Sequence, residues 1–572
     1  MKNTYQALLI VVAVGAGATV RGSETARPVA RGAGDRTFEE TLYNGIRLPS
    51  PWPPPLETLS LEPTTPPYLK SPPAAITIDV GRQLFVDDFL IEQTTLQRTF
   101  HLPEYHPASP VLKPDKPWEE EKHGSRLGPL AMPFSDGVWF DPADKCFKMW
   151  YHADYGKRHI CYATSADGIR WEKPALDVVT GTNIVYPEAH GARVVWLDLE
   201  EKDPARRFKL IQTRGGEDLI RPDQPWQGSR CSMYVHFSPD GIHWGQAVAR
   251  TGPAGDRNSA FWNPFRKRWV FSIRDYSPFG GLDDPMCCRR YWETTDLIAG
   301  LPWKYGEPGY WTGADNADKR PGAKKAQPEL YNLDAIAYES LLLGFFCILR
   351  EEADLRIFRP KINEVCIAFS RDGFHWDRPD RRSFFPDSDQ AGAWNWANVQ
   401  SVGGGCLVVG DKLYFYMSGR KGDAPYFHDA GGSTGLAILR RDGFASLDAG
   451  DTACTLTTRP VLFRGRYLFV NADAQAGELR AEVLDHDGNP IAPFTRSSCE
   501  PISRDSVLQR ITWAEHKDLA GLAGQPVRFR FHLRRARLFA FWVTSDARGA
   551  SHGYVAAGGP GFTGPTDAPQ AP

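Results

Sequence analysis

A short motif that occurs three times constrains the fold of this 572-residue chain more than any other feature. It reads YATSADGIRW at 162–171, VHFSPDGIHW at 235–244 and AFSRDGFHW at 368–376. Each copy combines an alternating apolar strand, an Asp-Gly pair and an aromatic residue. Asp-Gly supplies the positive φ angle that a tight hairpin needs, and the Trp begins the return strand. The motif therefore predicts a repeated β-hairpin.

Two degenerate copies, at Asp296 and Asp442, extend the repeat to five. The intervals between successive hairpin aspartates are 73, 56, 76 and 70 residues, for Asp167, Asp240, Asp296, Asp372 and Asp442. A period near 70 suits a four-stranded propeller blade with long loops. We therefore predict an all-β fold whose main domain, residues 81–450, is a five-bladed β-propeller with its blades beginning at about residue 128.

The segments outside the propeller have distinct compositions. Lys2, the apolar run 7–20 and the small residues at 16–18 within it are typical of a signal peptide, which we assign to 1–22. It predicts export, with no stable membrane insertion after its removal. Proline clusters predict an extended linker over 23–80. Alternating strands without the blade motif predict a β-sandwich over 451–546. The Gly/Pro-rich residues 547–572 are expected to be disordered.

Charge and cysteine content exclude several functions. A formal net charge of −2 gives no indication of a nucleic-acid partner. Most of the ten cysteines lie inside apolar strand patterns, which favours buried free thiols, with Cys454–Cys499 as the pair left open. Since there is no C-x-x-C pair and no His/Cys cluster, we expect neither a structural metal nor another cofactor.

The strand order of a blade predicts where its polar residues meet. The innermost strand, A, and the returning strand, B, are antiparallel, so the start of A and the end of B lie at the same mouth of the propeller. Acidic or amide residues at the expected starts of A strands are Asp136, Asp256, Asn258 and Asp334. Basic residues at the ends of B strands are His152, Arg214, Arg274, Arg350 and Arg420. The Asp-Gly hairpins then belong to the opposite end and serve as scaffold.

The segment SDGVWFDP at 135–142 is similar to the opening Asn-Asp-Pro-Asn-Gly stretch of glycoside hydrolase families 32 and 43. DRNSAFW at 256–262 resembles their Arg-Asp-Pro segment, and YES at 338–340 resembles their Glu-Cys-Pro segment. The resemblance covers roughly 128–450. It implies a hydrolase of fructosides, arabinosides or xylosides, with Asp136 as nucleophile or base, Asp256 orienting the sugar and Glu339 as general acid.

Strand register and resemblance disagree about the acid. The register puts Asp334 at the mouth with the acids and Glu339 near the A–B turn at the far end. Glycoside hydrolysis needs two carboxyl groups flanking the bond. Asp334 and Glu339 both stay open as the partner of Asp136.

Trp394 and Trp396 precede the fifth inner strand and would either stack on a sugar ring or pack between blades.

Two further functions stay open beside that of a hydrolase with a carbohydrate substrate. A propeller that only binds carbohydrate is one alternative. A sialidase-like enzyme is another, although that fold usually has six blades. Carboxyl groups paired in the funnel favour an enzyme.

Overall fold

The computed structural model of this chain describes residues 40–569, except 121–128, 154–157, 188, 190, 216–229, 278–284, 322–324, 326, 355, 358, 423–430 and 515–517. The signal-peptide prediction lies outside these residues. The described part is almost entirely β-structure, with two four-residue α-helices, α1 (Pro67–Lys70) and α2 (Pro117–Glu120). Within it, no helix has the length and apolar character needed to cross a membrane.

Five antiparallel sheets form the blades of a β-propeller, so the prediction of a five-bladed propeller is confirmed. Blade 1 contains β6 (Ala131–Met132), β7 (Val138–Asp141), β8 (Cys146–Ala153), β9 (His159–Ser165) and β10 (Ile184–Tyr186). Blade 2 contains β11 (Arg193–Leu197), β12 (Phe208–Gly215), β13 (Cys231–Ser238) and β14 (Ala249–Arg250). Blade 3 contains β15 (Ser259–Asn263), β16 (Arg268–Ser277), β17 (Met286–Thr294) and β18 (Gly309–Thr312).

Blades 4 and 5 each recruit a strand from outside the repeat. Blade 4 contains β19 (Glu329–Glu339), β20 (Leu341–Glu351) and β21 (Ile362–Ser370), and its inner edge pairs with β33 (Tyr554–Val555). Blade 5 contains β22 (Val399–Val409), β23 (Lys412–Arg420) and β24 (Gly432–Arg440), and its outer strand is β5 (Glu104–Tyr105). A strand that precedes blade 1 in sequence thus completes the last blade.

The inner strands β7, β11, β15, β19 and β22 form a closed ring around the propeller axis. Trp139 Nε1 on β7 donates to the carbonyl of Val195 on β11 at 2.8 Å. The peptide N–H of Val402 on β22 donates to Asp334 on β19 at 3.1 Å. Gly404, with φ +69°, closes the ring against β7, because a Cβ there would lie 2.3 Å from the Val138 carbonyl oxygen.

The second domain is a β-sandwich, as predicted, but its strands come from both ends of the chain. One sheet contains β2 (Gln83–Leu84), β4 (Gln97–Phe100), β25 (Ala445–Ala449), β28 (Tyr467–Asp473), β30 (Asp505–Arg510) and β32 (Ala536–Thr544). The other contains β3 (Ile91–Thr94), β26 (Cys454–Thr458), β29 (Glu478–Leu484) and β31 (Arg528–Arg534). The sheets meet where Phe541 packs on Phe529 and Phe531, with ring centroids 5.8 and 5.5 Å apart.

The expected extended linker is packed against the sandwich along part of its length. β1 (Ile76–Thr77) pairs with β27 (Val461–Leu462) in parallel, and Leu42, Ile46 and Tyr68 are buried in the sandwich core. The strands at 83–100, assigned to the propeller domain from sequence, pair with the sandwich instead. Apolar residues between the prolines supply this packing, which proline content alone did not predict.

The C-terminal tail is packed, whereas its composition predicts disorder. Besides the β33–β19 pairing, the Phe140 N–H donates to the Ala557 carbonyl at 3.0 Å and the Ala557 N–H donates to the Cys406 carbonyl at 2.9 Å. The tail therefore contacts inner strands of blades 1, 4 and 5 where those strands end. We name this end of the propeller the closed end and the opposite end, where the inner strands begin, the funnel mouth. All ten cysteines are free thiols, and Cys454 and Cys499 do not pair.

Candidate functional site

Asp136 lies at the funnel mouth, just before β7, and its side chain is 1% exposed. Arg193, at the start of β11, donates from Nε to Asp136 Oδ2 at 3.1 Å. The other carboxyl oxygen has no hydrogen-bond partner among the residues that the structure describes. Burial raises the pKa of Asp136 to about 7, although the guanidinium groups of Arg193 and Arg257 oppose the shift. The carboxyl group can therefore exchange a proton near neutral pH.

Asp334, on β19, is the second buried carboxyl group at this end. Its Oδ1 accepts from Asn332 Nδ2 at 3.0 Å and its Oδ2 from the Val402 N–H at 3.1 Å. Burial raises the pKa of Asp334, against hydrogen bonds from Ser135, Val402 and Asn332. The negative charge of Asp334 is also one of the causes that raise the pKa of Asp136. Both carboxyl groups are therefore buried at the same end of the propeller, and burial is the main cause of both raised pKa values.

Glu339, which the family resemblance makes the acid, lies at the closed end. It is the last residue of β19 and is fully buried, with φ +49°. Arg441 Nη2 donates to its Oε1 at 3.0 Å, and the Arg82 N–H and Ser551 Oγ donate to its Oε2 at 3.1 and 2.6 Å. These partners belong to the joint between propeller, sandwich and tail. Glu339 therefore contacts the residues that join the domains, at the end of the propeller opposite to Asp136.

Asp256 stands at the rim of the mouth, 71% exposed, with Arg274 Nη1 donating to its Oδ1 at 2.9 Å. Arg274 itself is buried and also donates to the Tyr276 hydroxyl at 2.8 Å. The peptide N–H of Arg274 donates to Asn258 Oδ1 at 2.9 Å. Asp256 is therefore held by a fixed guanidinium in a position that solvent reaches.

The remaining basic residues divide into two groups. Arg214 donates to the Tyr186 hydroxyl, and Arg350 forms a 3.3 Å ion pair with Glu364 on the neighbouring strand, so both are engaged within their own blades. His152 and Arg420, in contrast, both approach Phe134. The His152 ring centroid lies 5.6 Å from that of Phe134, and Arg420 Cζ lies 5.5 Å from it. Only the second group converges with Asp136.

Sequence patterns missed three residues that complete the mouth. Arg193 ion-pairs with Asp136, Arg257 Cζ lies 4.0 Å from the centre of the Phe134 ring, and Phe134 joins the cluster. Phe134 has φ +43°, a strained conformation for a residue with a Cβ, and its N–H donates to Ser418 Oγ at 2.8 Å. Arg193 and Arg257 stand at the starts of A strands, the positions at which the sequence predicts acidic and amide residues.

The two tryptophans do not converge with the carboxyl groups. Trp394 lies flat on the backbone of Gly419 and Gly435 in blade 5, and its ring centroid is 5.3 Å from that of Tyr105. Trp396 is half-buried, and its backbone forms a bridge with Ser388. The structure thus gives Trp394 the packing role, not the sugar-stacking role.

The hairpin aspartates cap their own turns. Asp240 Oδ1 accepts from the N–H groups of Ile242 and His243 at 2.8 and 2.9 Å, and these bonds, with Ser238 and His243 side chains, lower the pKa of Asp240 to about 2 against desolvation. Gly241, with φ +78°, supplies the turn conformation. Asp167 and Asp372 form the same Asx turns. These aspartates are structural.

The described residues contain no group of three His, Cys, Asp or Glu side chains that could hold a metal ion. A small cavity among the inner strands is lined by Ser135, Ser259 and Asp334 together with mainly apolar residues such as Val195 and Ile336. The mouth brings together the buried carboxyl groups of Asp136 and Asp334 and the guanidinium groups of Arg193 and Arg257.

No protein-family model and no curated protein sequence matches this chain. Solved structures do align with it. An N-acetylgalactosamine deacetylase from F. plautii, in complex with blood group B trisaccharide, is 13% identical with a TM-score of 0.41, over 60% of this chain and 96% of its own. A glycosyl hydrolase from Bacteroides ovatus is 12% identical (TM-score 0.38, 63% and 97%). A GH32 β-fructofuranosidase from Bombyx mori is 10% identical (TM-score 0.34, 76% and 95%).

Proposed function

We propose that this chain is an exported glycosidase whose funnel mouth cleaves a glycosidic bond between Asp136 and Asp334. The observation that carries the proposal is the burial of these two interacting carboxyl groups at the open end of a five-bladed propeller. Glycoside hydrolysis requires one carboxyl group that donates a proton and one that is ionised. Fructosides, arabinosides and xylosides are the first substrates to test, because the sequence resembles enzymes that cleave them.

The environments of the two carboxyl groups distinguish their roles. Asp334 accepts hydrogen bonds at both oxygens, which favours its ionised form, so we assign it as the base that takes a proton from the attacking water. Asp136 has an oxygen without a described partner and a pKa of about 7, so we assign it as the acid that protonates the leaving oxygen. Arg193 positions Asp136, and Asp256 with Arg274 forms the rim that meets the substrate.

The alkaline limb of the pH–rate profile tests the role of Asp136. Only its protonated form donates a proton, so kcat/KM for a glycoside should fall as the pH rises through about 7. Protonation of the base Asp334 sets the separate acid limb. Replacing Arg193 with Met removes a cation that lowers the pKa of Asp136, and should move this limb to higher pH. A limb that stays in place in Arg193→Met, with a folded protein, would contradict the assignment.

A further inference from the structure

We propose that the funnel mouth contains an oxyanion subsite beside Asp136, in which Arg257 is the principal ligand-binding cation and Phe134 is the platform that positions it. The subsite would bind a carboxylate, sulfate or phosphate group. The inference rests on the proposed function, because it describes which group accompanies the glycosidic bond at the same mouth.

Three blades bring two guanidinium groups and one imidazole to one aromatic ring. Arg257 precedes β15 of blade 3, Arg420 ends β23 of blade 5 and His152 lies on β8 of blade 1. Their distances to the ring centroid of Phe134 are 4.0, 5.5 and 5.6 Å. A guanidinium over an aromatic face is oriented by the cation–π attraction and keeps its N–H groups available at its edge. The contact with Phe134 therefore orients the Arg257 side chain and leaves its N–H groups available as donors.

Two guanidinium groups at the mouth have no carboxylate partner among the residues that the structure describes. No carboxylate of the described residues lies within ion-pair distance of the Arg257 side chain, whereas Arg193 already pairs with Asp136. Arg289 is fully buried and donates to the carbonyls of Arg257 and Tyr331 and to Asn332 Oδ1. No carboxylate in the described part of the chain lies within ion-pair distance of it. Removing guanidinium groups from water without a counter-charge is costly. A bound anion would supply that charge.

The pKa values of neighbouring groups reflect burial and the guanidinium groups around them. Burial lowers the pKa of His152 far below its ordinary value, and the guanidinium groups of Arg193, Arg158, Arg257 and Arg420 lower it further. Burial and the charge of Arg274 lower the pKa of Arg289 to about 10. A neutral His152 beside these cations can donate or accept a hydrogen bond without adding charge.

The backbone of Phe134 is a second, independent indication. A φ of +43° costs free energy in a residue with a Cβ, and such strain persists where the surrounding structure enforces it. Here Ser418 accepts from the Phe134 N–H at 2.8 Å, and the side chain is only 2% exposed. In this backbone conformation the ring lies 4.0 Å from Arg257 Cζ and 5.5 Å from Arg420 Cζ.

The oxyanion has two chemical sources. It is either a carboxylate or sulfate on the sugar itself, or free inorganic phosphate that attacks the anomeric carbon in place of water. In the second case the C1–O bond to the leaving group breaks, a C1–O bond to phosphate forms, and the Asp136 proton passes to the leaving oxygen. Both sources need the same bidentate recognition of two oxygens by a guanidinium.

The test measures binding separately from turnover. Phosphate, sulfate and methyl glucuronide are titrated against the full chain by calorimetry and by melting temperature, with Arg257→Met as the test variant and the surface-exposed Arg170→Met as the control. We expect at least one anion to bind the wild type and Arg170→Met equally, and Arg257→Met at least about tenfold more weakly. Arg257→Lys keeps the positive charge but not the planar pair of N–H donors, so its affinity for the anion should be intermediate. A folded Arg257→Lys with this affinity indicates that the weaker binding of Arg257→Met does not come from unfolding.

The outcomes separate this inference from the proposed function. Sugar phosphate released in the presence of phosphate identifies phosphate as the ligand, and faster cleavage of uronides or sulfated glycosides than of neutral ones identifies an anionic sugar. Anion binding without cleavage of any glycoside supports the subsite and refutes the glycosidase proposal. Glycoside cleavage with no anion bound, or equal binding by Arg257→Met, overturns the subsite alone.

Discussion

Replacing Asp334 with Asn is expected to lower kcat/KM for every substrate that the chain cleaves by about 10²–10⁴-fold. An amide cannot take a proton from the attacking water, and the loss should be the same for good and poor leaving groups because proton donation by Asp136 is untouched. The shape of the side chain is preserved, and one acceptor remains for the Val402 N–H or Asn332. Turnover is measured on paired aryl and alkyl glycosides.

Two controls make the Asp334 result specific. Added azide, a small anion that attacks without a base, should restore part of the activity of Asp334→Asn with activated glycosides. Asp240→Ala removes a turn-capping carboxylate and should lower the free energy of unfolding by about 1 kcal/mol while leaving turnover by the folded protein unchanged. Full activity of a folded Asp334→Asn would remove this residue from the mechanism.

The second large effect concerns stability. Deleting residues 551–572 should lower the free energy of unfolding by on the order of 3 kcal/mol or more, since buried Val555 and Ala557 and their strand hydrogen bonds would be lost. The deletion also removes Ser551 and Asp567, which hydrogen-bond to Glu339 and Arg441 at the closed end. The measurement is the melting temperature of the shortened chain. An unchanged melting temperature would contradict this packing and would support the disordered tail that the composition predicts.

Glu339→Gln is the matched point variant for the closed end. Both carboxylate oxygens of Glu339 accept from donors, so the amide nitrogen of Gln must face Arg441 on one side or Arg82 and Ser551 on the other. We expect a loss of about 1–3 kcal/mol of stability. Turnover per folded molecule should be unchanged. Loss of turnover at unchanged melting temperature would return Glu339 to the candidate acids.

The blades were predictable because their signal is local. Asp-Gly fixes a hairpin within four residues, and Gly168, Gly241 and Gly373 all adopt the positive φ angles that the motif requires. The origin of the outer strand of blade 5 was not predictable in this way, because Glu104–Tyr105 pairs with β24 across more than 300 residues. The packing of the tail on β19 depends on the same kind of distant pairing.

In the candidate site, too, the features set by local strand direction were predictable, and those set by distant neighbours were not. Counting along antiparallel strands was enough to bring Asp136 and Asp334 to one mouth, because that rule depends only on strand direction. Resemblance misplaced Glu339, since a matching tripeptide carries no information about which end of a strand it occupies. Arg193 and Arg257 escaped detection because their role depends on neighbours from other blades, Asp136 and Phe134.

The leaving-group dependence of Asp136→Asn tests the central claim, that the two buried carboxyl groups at the funnel mouth divide the acid and base roles. The measurement is kcat/KM for a series of aryl and alkyl glycosides that differ in leaving-group pKa, in the wild type and the variant. If Asp136 is the acid, the loss should grow from small with activated aryl glycosides to about 10²–10⁴-fold with alkyl glycosides. An equal loss across the series, or none, would contradict it.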